Sequence, residues 1–368
     1  MAATASQSGR VNKADRQESR MGWIMAGPAI VLILGFMIIP FFMAFGFAFT
    51  NIRLISPNAP EFVGTRNFAR LLNIRYLAIE AELDPNTGDY PLDEEGNIEF
   101  PRSRIFTRNN PDFPELDGLQ EWTSFVSGTT KHTFLAGDVV FIKSLINTFV
   151  FAIIVVPIQG GLGLGLALLI NSRTPGVNVF RTIYFIPVVM SMVVVSMLWR
   201  FIYDGSNGLL NNSLSFLSFG AIQPVDWLGN PDTALGAILI MSIWQGVGFH
   251  MVIWLAGLQT IPYVLYEAAS VAGASSWQQF KYVTWPGLRN TAVFILITIS
   301  IAAFGLFTQI NVMTRGGPLD STTSVIYQMV IRGYEKQDIA GGSAISVVFF
   351  IMVLTVALIQ RYLTRETD

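Results

Sequence analysis

Six long apolar stretches dominate this sequence. Each is long enough to cross the hydrocarbon core of a bilayer, because a spanning helix needs about 20 predominantly apolar residues. Hydrophobic residues make up 52% of the chain and charged residues only 13%, whereas charged residues reach about 25% in soluble domains. We therefore predict an all-α polytopic membrane protein whose six transmembrane helices lie near residues 22 to 50, 144 to 170, 180 to 203, 234 to 258, 290 to 312 and 343 to 361.

The N-terminal tail, residues 1–21, is polar and basic. Directly before the first apolar stretch it carries Arg10, Lys13, Arg16 and Arg20, a pattern similar to the start of a secretory signal peptide. The apolar part of a signal peptide is about 7 to 15 residues long. The stretch at 22–50 is much longer and has no obvious cleavage site, so we interpret it as an uncleaved first transmembrane helix.

The distribution of lysine and arginine predicts the orientation, because cytoplasmic segments carry an excess of these residues. The outer loop at 204–233 has none of them, but three cations elsewhere count against the rule without reversing it: Arg315, Arg332 and Lys336. We expect both termini in the cytoplasm, since the inner segments then contain the tail cations together with Arg173, Arg181, Lys281, Arg289, Arg361 and Arg365.

The segment at 51–142 differs in composition from the rest of the chain. It is acidic and rich in Pro, Asn, Asp and Gly, as in "DPNTGDYPLDEEGNIEFPRSRIF". Turn-forming residues between short runs such as "NIEF" and "SRIF" predict a small, loop-rich extracytoplasmic insertion with a hairpin or two. A disordered insert is the alternative, because the segment has few apolar residues to bury.

The absence of certain residue types and motifs excludes or disfavours several classes of function. A net charge of −2 and the absence of a zinc-finger or helix-turn-helix signature give no reason to expect nucleic acid as a partner. The absence of cysteine excludes disulfides and thiolate metal sites. Neither a G-x-x-x-x-G-K-[ST] phosphate loop nor an H-E-x-x-H zinc motif is present. We therefore expect no cofactor, metal or covalent chemistry in this chain.

The source of energy is constrained by the apolar stretches. Ionisable residues inside transmembrane helices mark proton or ion relays, and these stretches contain almost none beyond His250. That composition disfavours an ion-coupled carrier. If the protein pumps, its energy comes from another subunit.

The stretch "YEAASVAGASSWQQFKYVTWPG" lies between two apolar stretches and is too polar to cross a bilayer. Pro262 can occupy the first turn of a helix, and Gly273 can end it. Ser276 and Gln279 have the spacing of a capping box that starts a second helix, which Pro286 is expected to stop. The pattern predicts a compact cytoplasmic helix-turn-helix that a partner groove can accept. An amphipathic loop lying on the membrane surface is the alternative.

The residues "EAASVAGASSWQQFKYVTWPGL" resemble the EAA loop of binding-protein-dependent ATP-binding-cassette (ABC) importers, in which a Glu-Ala-Ala triplet leads to a Gly and later to a Leu-Pro. Two positions depart from that pattern. Ala272 replaces an acidic residue that often precedes the Gly, and Trp285 replaces the Leu. The resemblance implies that this loop is the coupling helix that rests in a cleft of an ATPase subunit, through Glu267, Ala268, Ala269, Gly273 and Pro286.

Other segments resemble the maltose-type carbohydrate branch of these importers. They are "FVGTRNFARLL", "KSLINTF", "FRTIYFIPVVMSMVVVSMLWRFIYDGSNGLLN" and "TRGGPLDSTTSVI". The resemblance covers nearly the whole chain except about 74–138, whose flanks nearly adjoin in ordinary members, so this chain is expected to carry an extra domain there. It implies a permease core at 143–362, with the coupling loop at 261–287 and a cytoplasmic tail at 363–368.

The same resemblance implies the setting and the partners. A type I importer permease in the bacterial inner membrane forms half of a pore with a second homologous permease subunit. Two ABC ATPase subunits bind ATP and dock inside, and an extracytoplasmic sugar-binding protein docks outside. The expected function is import of a sugar or oligosaccharide. The alternatives are import of another polar solute, such as glycerol phosphate or a sulfonated sugar, and, in a different class, a self-powered channel or a membrane-embedded enzyme.

A sugar path needs amide and hydroxyl groups together with aromatic faces. Where the maltose permease has asparagines in its fifth span, this chain has Ala303 and Leu306, so the family's site does not transfer residue by residue. Each polar candidate can instead bridge two helices, and we expect that role for His250. The candidates, from the fourth and fifth apolar stretches, are Trp244, Gln245, Phe249, Phe307, Gln309 and Asn311.

Glycine and proline inside the stretches predict details of the helices. The run "GGLGLGL" at 160–166 is expected to let two helices approach closely, as small residues do in membranes. Pro40, Pro157 and Pro187 are expected to kink their helices.

Overall fold

A computed structural model of the chain describes residues 13–84, 88–94, 96–171 and 176–364. Within these ranges five helices are long and apolar enough to span a membrane, and two more form a bent pair that passes the same test together. The prediction of an all-α, six-span membrane protein is confirmed, with the third span broken. Arg10, Arg173 and Arg365, which contributed to the predicted orientation, lie outside the described residues.

The first span begins with α1, Lys13–Ile33, and ends with α2, Ile39–Phe47. The turn between them, Leu34–Ile38, is π-helical. Pro40 follows this turn, and its ring clashes with the carbonyl four residues earlier in a regular α-helix, so the helix widens there. The most apolar part of this span is not buried by the rest of the chain. It is therefore free to contact lipid or another subunit.

The insertion forms a small sheet flanked by short helical segments. In chain order these elements are α3 (Arg66–Leu72), β1 (Ile74–Glu80), α4 (Arg104–Thr107), a 3₁₀ turn (Pro114–Leu116), β2 (Gln120–Ser127) and β3 (Thr130–Ala136). β3 lies in the middle and pairs antiparallel with both β1 and β2. A hairpin is thus present, but not in the predicted runs. "SRIF" is helical in α4, and "NIEF" contributes one isolated bridge, from Ile98 to Leu92.

The insertion has a hydrophobic core of its own, which argues against the alternative of a disordered insert for the described residues. Leu77, Ile79 and Leu135 of the sheet are buried against Leu116 and Leu119. The chain leaves and re-enters the membrane region at neighbouring points, because the Gly137 N–H donates to the carbonyl of Asn73 at 2.9 Å. At this end Leu71 and Ala136 join a second core with residues of the first and last spans.

The middle of the chain builds the central helices. Its elements are α5 (Val139–Asn171), α6 (Val177–Val189), α7 (Met192–Ile202), α8 (Leu209–Leu217) and α9 (Pro231–Thr260). α6 and α7 form the bent pair, with an angle of 101° at the break. Pro187 lies in the last turn of α6, next to this break, whereas α5 continues through Pro157 as one helix.

Glycines allow the central helices to touch through their backbones. A Cβ at Gly163 of α5 would lie 3.2 Å from the Cβ of His250 and 3.3 Å from the backbone nitrogen of Met251, both on α9. A Cβ at Gly248 of α9 would lie only 1.9 Å from the carbonyl oxygen of Tyr184 on α6. The close helix approach predicted for the glycine run at 160–166 is confirmed.

The C-terminal part completes the bundle. Its elements are α10 (Tyr263–Val271), α11 (Ser276–Gln279), a π turn (Phe280–Thr284), α12 (Trp285–Gly287), α13 (Arg289–Phe304), α14 (Thr308–Met313), α15 (Val325–Val330), a second π turn (Ile331–Glu335) and α16 (Ile339–Thr364). The ring of Phe350 on α16 lies 5.1 Å from that of Phe41 and 5.9 Å from that of Phe45. The first and last spans are therefore neighbours.

Candidate functional site

The coupling loop, 261–287, is the first candidate site. Pro262 was predicted to lie in the first turn of a helix. It is instead the N-cap of α10 and lies one residue before the first turn. α10 ends at Val271, and Gly273 follows with φ +78°. Side chains with a Cβ rarely adopt this left-handed conformation, so the prediction that Gly273 ends the first helix is confirmed.

The second helix of the loop begins one residue earlier than predicted. The Oγ of Ser275, not of Ser276, accepts from the Gln278 N–H at 3.4 Å, and the Gln278 side chain accepts from the Ser275 N–H at 2.7 Å. Two overlapping S-x-x-Q patterns occur in "SSWQQ", and spacing alone cannot distinguish them.

The prediction that Pro286 stops this helix was wrong. Pro286 lies in the first turn of α12, directly after the π turn Phe280–Thr284. A proline is tolerated in the first turn of a helical segment, where its missing N–H is not needed. The helical path therefore runs from the coupling loop almost directly into α13.

Side-chain hydrogen bonds hold the two helices of the loop together. The hydroxyls of Tyr266 and Thr284 are 3.0 Å apart, and Gln279 Nε2 donates to Ser270 Oγ at 3.0 Å. The rings of Trp277 and Phe280 stack with their centroids 5.5 Å apart. These contacts join α10, α11 and the π turn into one structural unit next to α13.

The surface of this unit is exposed and carries large apolar side chains. Val271 is 91% exposed and Trp277 is 70% exposed. Glu267 and Ala268 are exposed, and Ala269 is half-buried. Within the described part of the chain the Glu267 carboxylate forms no ion pair. Apolar side chains exposed together indicate a contact surface, and here a free carboxylate accompanies them.

The second candidate site is a cavity of about 290 Å³ within the membrane region, which we call the inner cavity. Residues of α5, α9, α13 and α14 line it, together with Val188 and Met192 on either side of the α6–α7 break. Among its described lining residues none is Asp, Glu, Lys or Arg. Its polar lining consists of Gln159, Ser242, Gln245, His250, Thr298 and Gln309.

The structure brings together three of the six predicted path residues. Gln245, Phe249 and Gln309 line the inner cavity. The other three lie elsewhere, because their side chains have different neighbours. Trp244 packs edge-on against Trp199 with centroids 5.5 Å apart, the Phe307 ring lies 6.1 Å from the ring of Tyr327, and Asn311 lines a separate cleft.

His250 connects two helices, as predicted. Its Nδ1 lies 2.9 Å from the carbonyl oxygen of Gly246 and 3.2 Å from Nε2 of Gln159 on α5. Nδ1 donates to the carbonyl in one tautomer and accepts from Gln159 in the other. Sequence reasoning missed Gln159, Ser242 and Thr298 as lining residues. The available signal was an amide or a hydroxyl in an otherwise apolar stretch.

Comparison with known proteins agrees with this architecture. The profile described as "Binding-protein-dependent transport system inner membrane component" matches residues 159–368. The chain is 31% identical over 354 residues to the trehalose/maltose transport system permease protein MalF of Thermococcus litoralis, covering 96% of this chain and 97% of that one. It is 34% identical over 247 residues to the lactose transport system permease protein LacF of Rhizobium radiobacter, covering 65% and 81% of the two chains.

A solved structure has the same fold along almost the whole chain. It is the crystal structure of a bacterial ABC transporter involved in the import of the acidic polysaccharide alginate, with a TM-score of 0.68 and 19% identity over 96% of this chain and 98% of that one. The match includes the insertion as well as the spans. Since the family profile covers more than half of the sequence, this chain belongs to the family of binding-protein-dependent transport system inner membrane components.

Proposed function

We propose that this protein is the permease subunit of an ABC importer for a sugar or oligosaccharide. The observation that carries the proposal is the inner cavity, whose described lining combines amides, hydroxyls, His250 and the ring of Phe249. Sugars present many hydroxyls and an apolar ring face, and this lining is complementary to both. The carbohydrate permeases named above support the same class of cargo.

The uncharged lining also separates this cargo from the alternatives. Glycerol phosphate or a sulfonated sugar brings a permanent anion into the bilayer, where a lone charge is costly unless a cation pairs with it. No Lys or Arg is present among the described residues that line the inner cavity. A neutral sugar is therefore the better match. Family membership favours a permease over a self-powered channel or a membrane-embedded enzyme.

The proposal includes the partners. A second permease would complete the pore and two ABC ATPases, which bind the ATP, would dock inside. An extracytoplasmic sugar-binding protein would deliver the cargo. The exposed surface of α10, with Glu267, Ala268 and Ala269, is the proposed ATPase contact, and closure of the ATPases would move α13 through Gly273 and Pro286. The unburied first span leaves an apolar surface for lipid or for the second permease.

A reconstituted importer tests this function. We would purify the complex with its binding protein, identify the sugar that the binding protein takes from a carbohydrate panel, and measure ATP-driven uptake into proteoliposomes. Gln159→Leu and Gln309→Leu should each lower uptake by about 2- to 10-fold, the effect of one lost hydrogen bond. Gln223→Leu, at an exposed position of the outer loop, is the matched control. Absence of sugar uptake by the wild-type complex would refute the proposal.

We also propose that both termini are cytoplasmic. Arg20, Arg181, Lys281, Arg289 and Arg361, which are among the described residues, would then lie on the inner side, in agreement with the charge rule. Reporter fusions at the two termini and after residue 218 test the orientation. An extracytoplasmic signal from either terminus would contradict it.

A further inference from the structure

A second cleft lies beside α14, near the start of α5, and we call it the outer cleft. Its volume is about 590 Å³, and it lies between the start of α5 and the segment that joins α14 to α16. Its uncharged polar lining includes Asn311, Thr323, Tyr327 and Gln328. Nothing in the coupling or inner-cavity chemistry uses this cleft.

Tyr327 and Gln328 are mostly buried, and their polar ends open into the outer cleft. They are 8% and 5% exposed. Neither the hydroxyl of Tyr327 nor the amide of Gln328 has a partner within the described part of the chain. The hydroxyl and the amide are not among the fully buried polar atoms that lack a partner, so they open into the outer cleft that both residues line. Water or a ligand in the cleft can satisfy them.

The tyrosine ring packs closely against the backbone of Gly316. Gly316 has φ +83°, and a Cβ there would lie 2.8 Å from Cε1 of the Tyr327 ring. On another side the Phe307 ring lies 6.1 Å away. The hydroxyl is protonated at neutral pH, because the ordinary pKa of tyrosine is about 10 and burial raises the pKa of Tyr327 further. A hydroxyl held in place before binding loses little freedom when it forms a hydrogen bond.

The charges around the outer cleft cancel. Arg315 and Lys336 line it together with Asp320 and Glu335. Two cations and two anions give no net attraction for an acidic or a basic cargo. The hydroxyls of a neutral sugar can nevertheless form hydrogen bonds with both kinds of charged group.

The short helix α14 contributes one lining residue to each of the two cavities. Gln309 lines the inner cavity and Asn311 lines the outer cleft, and both belong to α14. We propose that the outer cleft is a second binding site for the imported cargo, a neutral saccharide held by Asn311, Tyr327 and Gln328 before it passes α14 into the inner cavity. This inference rests on the proposed function and adds to it a second site on the path of the cargo.

Two variants test the site in the complete importer with its loaded binding protein. Tyr327→Phe removes the hydroxyl and keeps the ring, and Gln328→Met removes the amide at similar length. Each should lower the amount of sugar imported per ATP hydrolysed by about 2- to 10-fold. Stimulation of ATP hydrolysis by the binding protein should stay normal, because the coupling loop is unchanged. Tyr334→Phe, at a position that is 71% exposed and lines neither cavity, is the control and should behave as wild type.

A labelling experiment tests occupancy in a chain with only one substitution. The protein has no cysteine, so Val140→Cys places a single thiol in the outer cleft and Ser213→Cys places one on the exposed surface of α8. The imported sugar should slow maleimide labelling at 140 and leave labelling at 213 unchanged.

The outcomes separate this inference from the function on which it rests. Import of a neutral sugar by the wild type, with normal import per ATP in both variants and no protection at 140, would overturn the outer site and leave the proposed function intact. Protection by a uronic acid but not by a neutral sugar of equal size would overturn the neutral charge class. Failure of the wild type to import any sugar would overturn both.

Discussion

Arg332 and Asp138 form an ion pair across 194 residues of chain. Asp138 immediately precedes α5, where its Oδ1 also accepts from the Phe141 N–H at 3.0 Å. The Arg332 Nε donates to the carboxylate of Asp338 at 2.9 Å. Since Asp338 immediately precedes α16 and also accepts from the Gly341 N–H, one guanidinium joins the outer ends of the second and last spans.

Replacing this arginine should strongly destabilise the protein. Arg332→Met leaves the carboxylates of Asp138 and Asp338 facing each other in a mostly buried place, and removal of one partner from a buried ion pair costs about 3 to 5 kcal/mol. The measurement is the Tm of the purified protein in detergent. Adding Asp138→Asn and Asp338→Asn should recover much of the loss. A triple variant no more stable than Arg332→Met would show that the charges are not the cause.

Acid should weaken the same contact. Burial alone would raise the pKa of Asp338, but hydrogen bonds from Arg332 and the Gly341 N–H outweigh it and lower the pKa below its ordinary value. The stabilisation is therefore complete above about pH 4 and is lost as the pH falls through the lowered pKa of the folded state. The decrease in Tm between pH 7 and pH 3 should be smaller in Asp338→Asn than in the wild type. Equal decreases would contradict this assignment.

A single methyl group on α9 should disturb the bundle at one glycine and not at another. Gly248→Ala would place a Cβ 1.9 Å from the carbonyl oxygen of Tyr184, whereas a Cβ at Gly236 meets nothing within 4 Å. Overpacking of this kind costs about 1 to 3 kcal/mol, while glycine to alanine at an open helix position is neutral or favourable. The Tm values of Gly248→Ala and Gly236→Ala test this prediction. An equal Tm for both variants would mean that α6 shifts without cost.

The coupling loop should tolerate neither a reversed charge nor extra bulk. Glu267→Lys or Gly273→Trp should abolish uptake while the complex still reaches the membrane, because the proposed ATPase groove would have to accommodate either change. Gly273→Asn, whose side chain tolerates φ near +78°, is the control for the backbone conformation. Wild-type uptake by Glu267→Lys and Gly273→Trp would show that this loop does not couple.

The insertion should be removable if Asp138 is kept. A short Gly/Ser linker in place of 74–136 closes the small gap between Asn73 and Gly137 and should give a complex that assembles and binds its ATPases. We expect this complex to respond poorly to the loaded binding protein, because the acidic insertion would face the side where that protein docks and charged rims influence encounter. A linker in place of 74–138 also removes the partner of Arg332 and should be less stable. ATPase stimulation in proteoliposomes at low and high salt is the readout. Normal stimulation in the shorter deletion would refute a docking role.

Features that depend on composition and on single special residues were accessible from the sequence. Spans follow from apolar length, and Gly273 follows from its freedom to adopt a positive φ. The start of α11 was not accessible, because Ser275 and Ser276 offer equivalent capping patterns and tertiary contacts choose between them. "SRIF" has strand-like residues, but its segment packs as α4 beside the small sheet.

Side-chain partners brought together from distant parts of the chain could not be predicted. Three of the six path residues do not line the inner cavity. Gln309 and Asn311 of the six-residue helix α14 line different cavities, and Trp244 packs against Trp199. Arg332 counted against the predicted orientation as an outer cation. In the structure two carboxylates neutralise it, so it contributes no free positive charge to that surface.

The break between α6 and α7 places main-chain hydrogen-bonding groups at the wall of the inner cavity. Helix ends leave peptide groups without helical partners, and here such ends meet at the cavity wall, where Val188 and Met192 flank the turn. The N-cap Ser191 satisfies one of them, the Val194 N–H. Alanine substitution cannot remove a hydrogen bond between a cargo and one of the remaining main-chain groups, since every residue except proline has the same N–H. Amide-to-ester substitution at 192 and 193 would be needed to measure that part of the recognition.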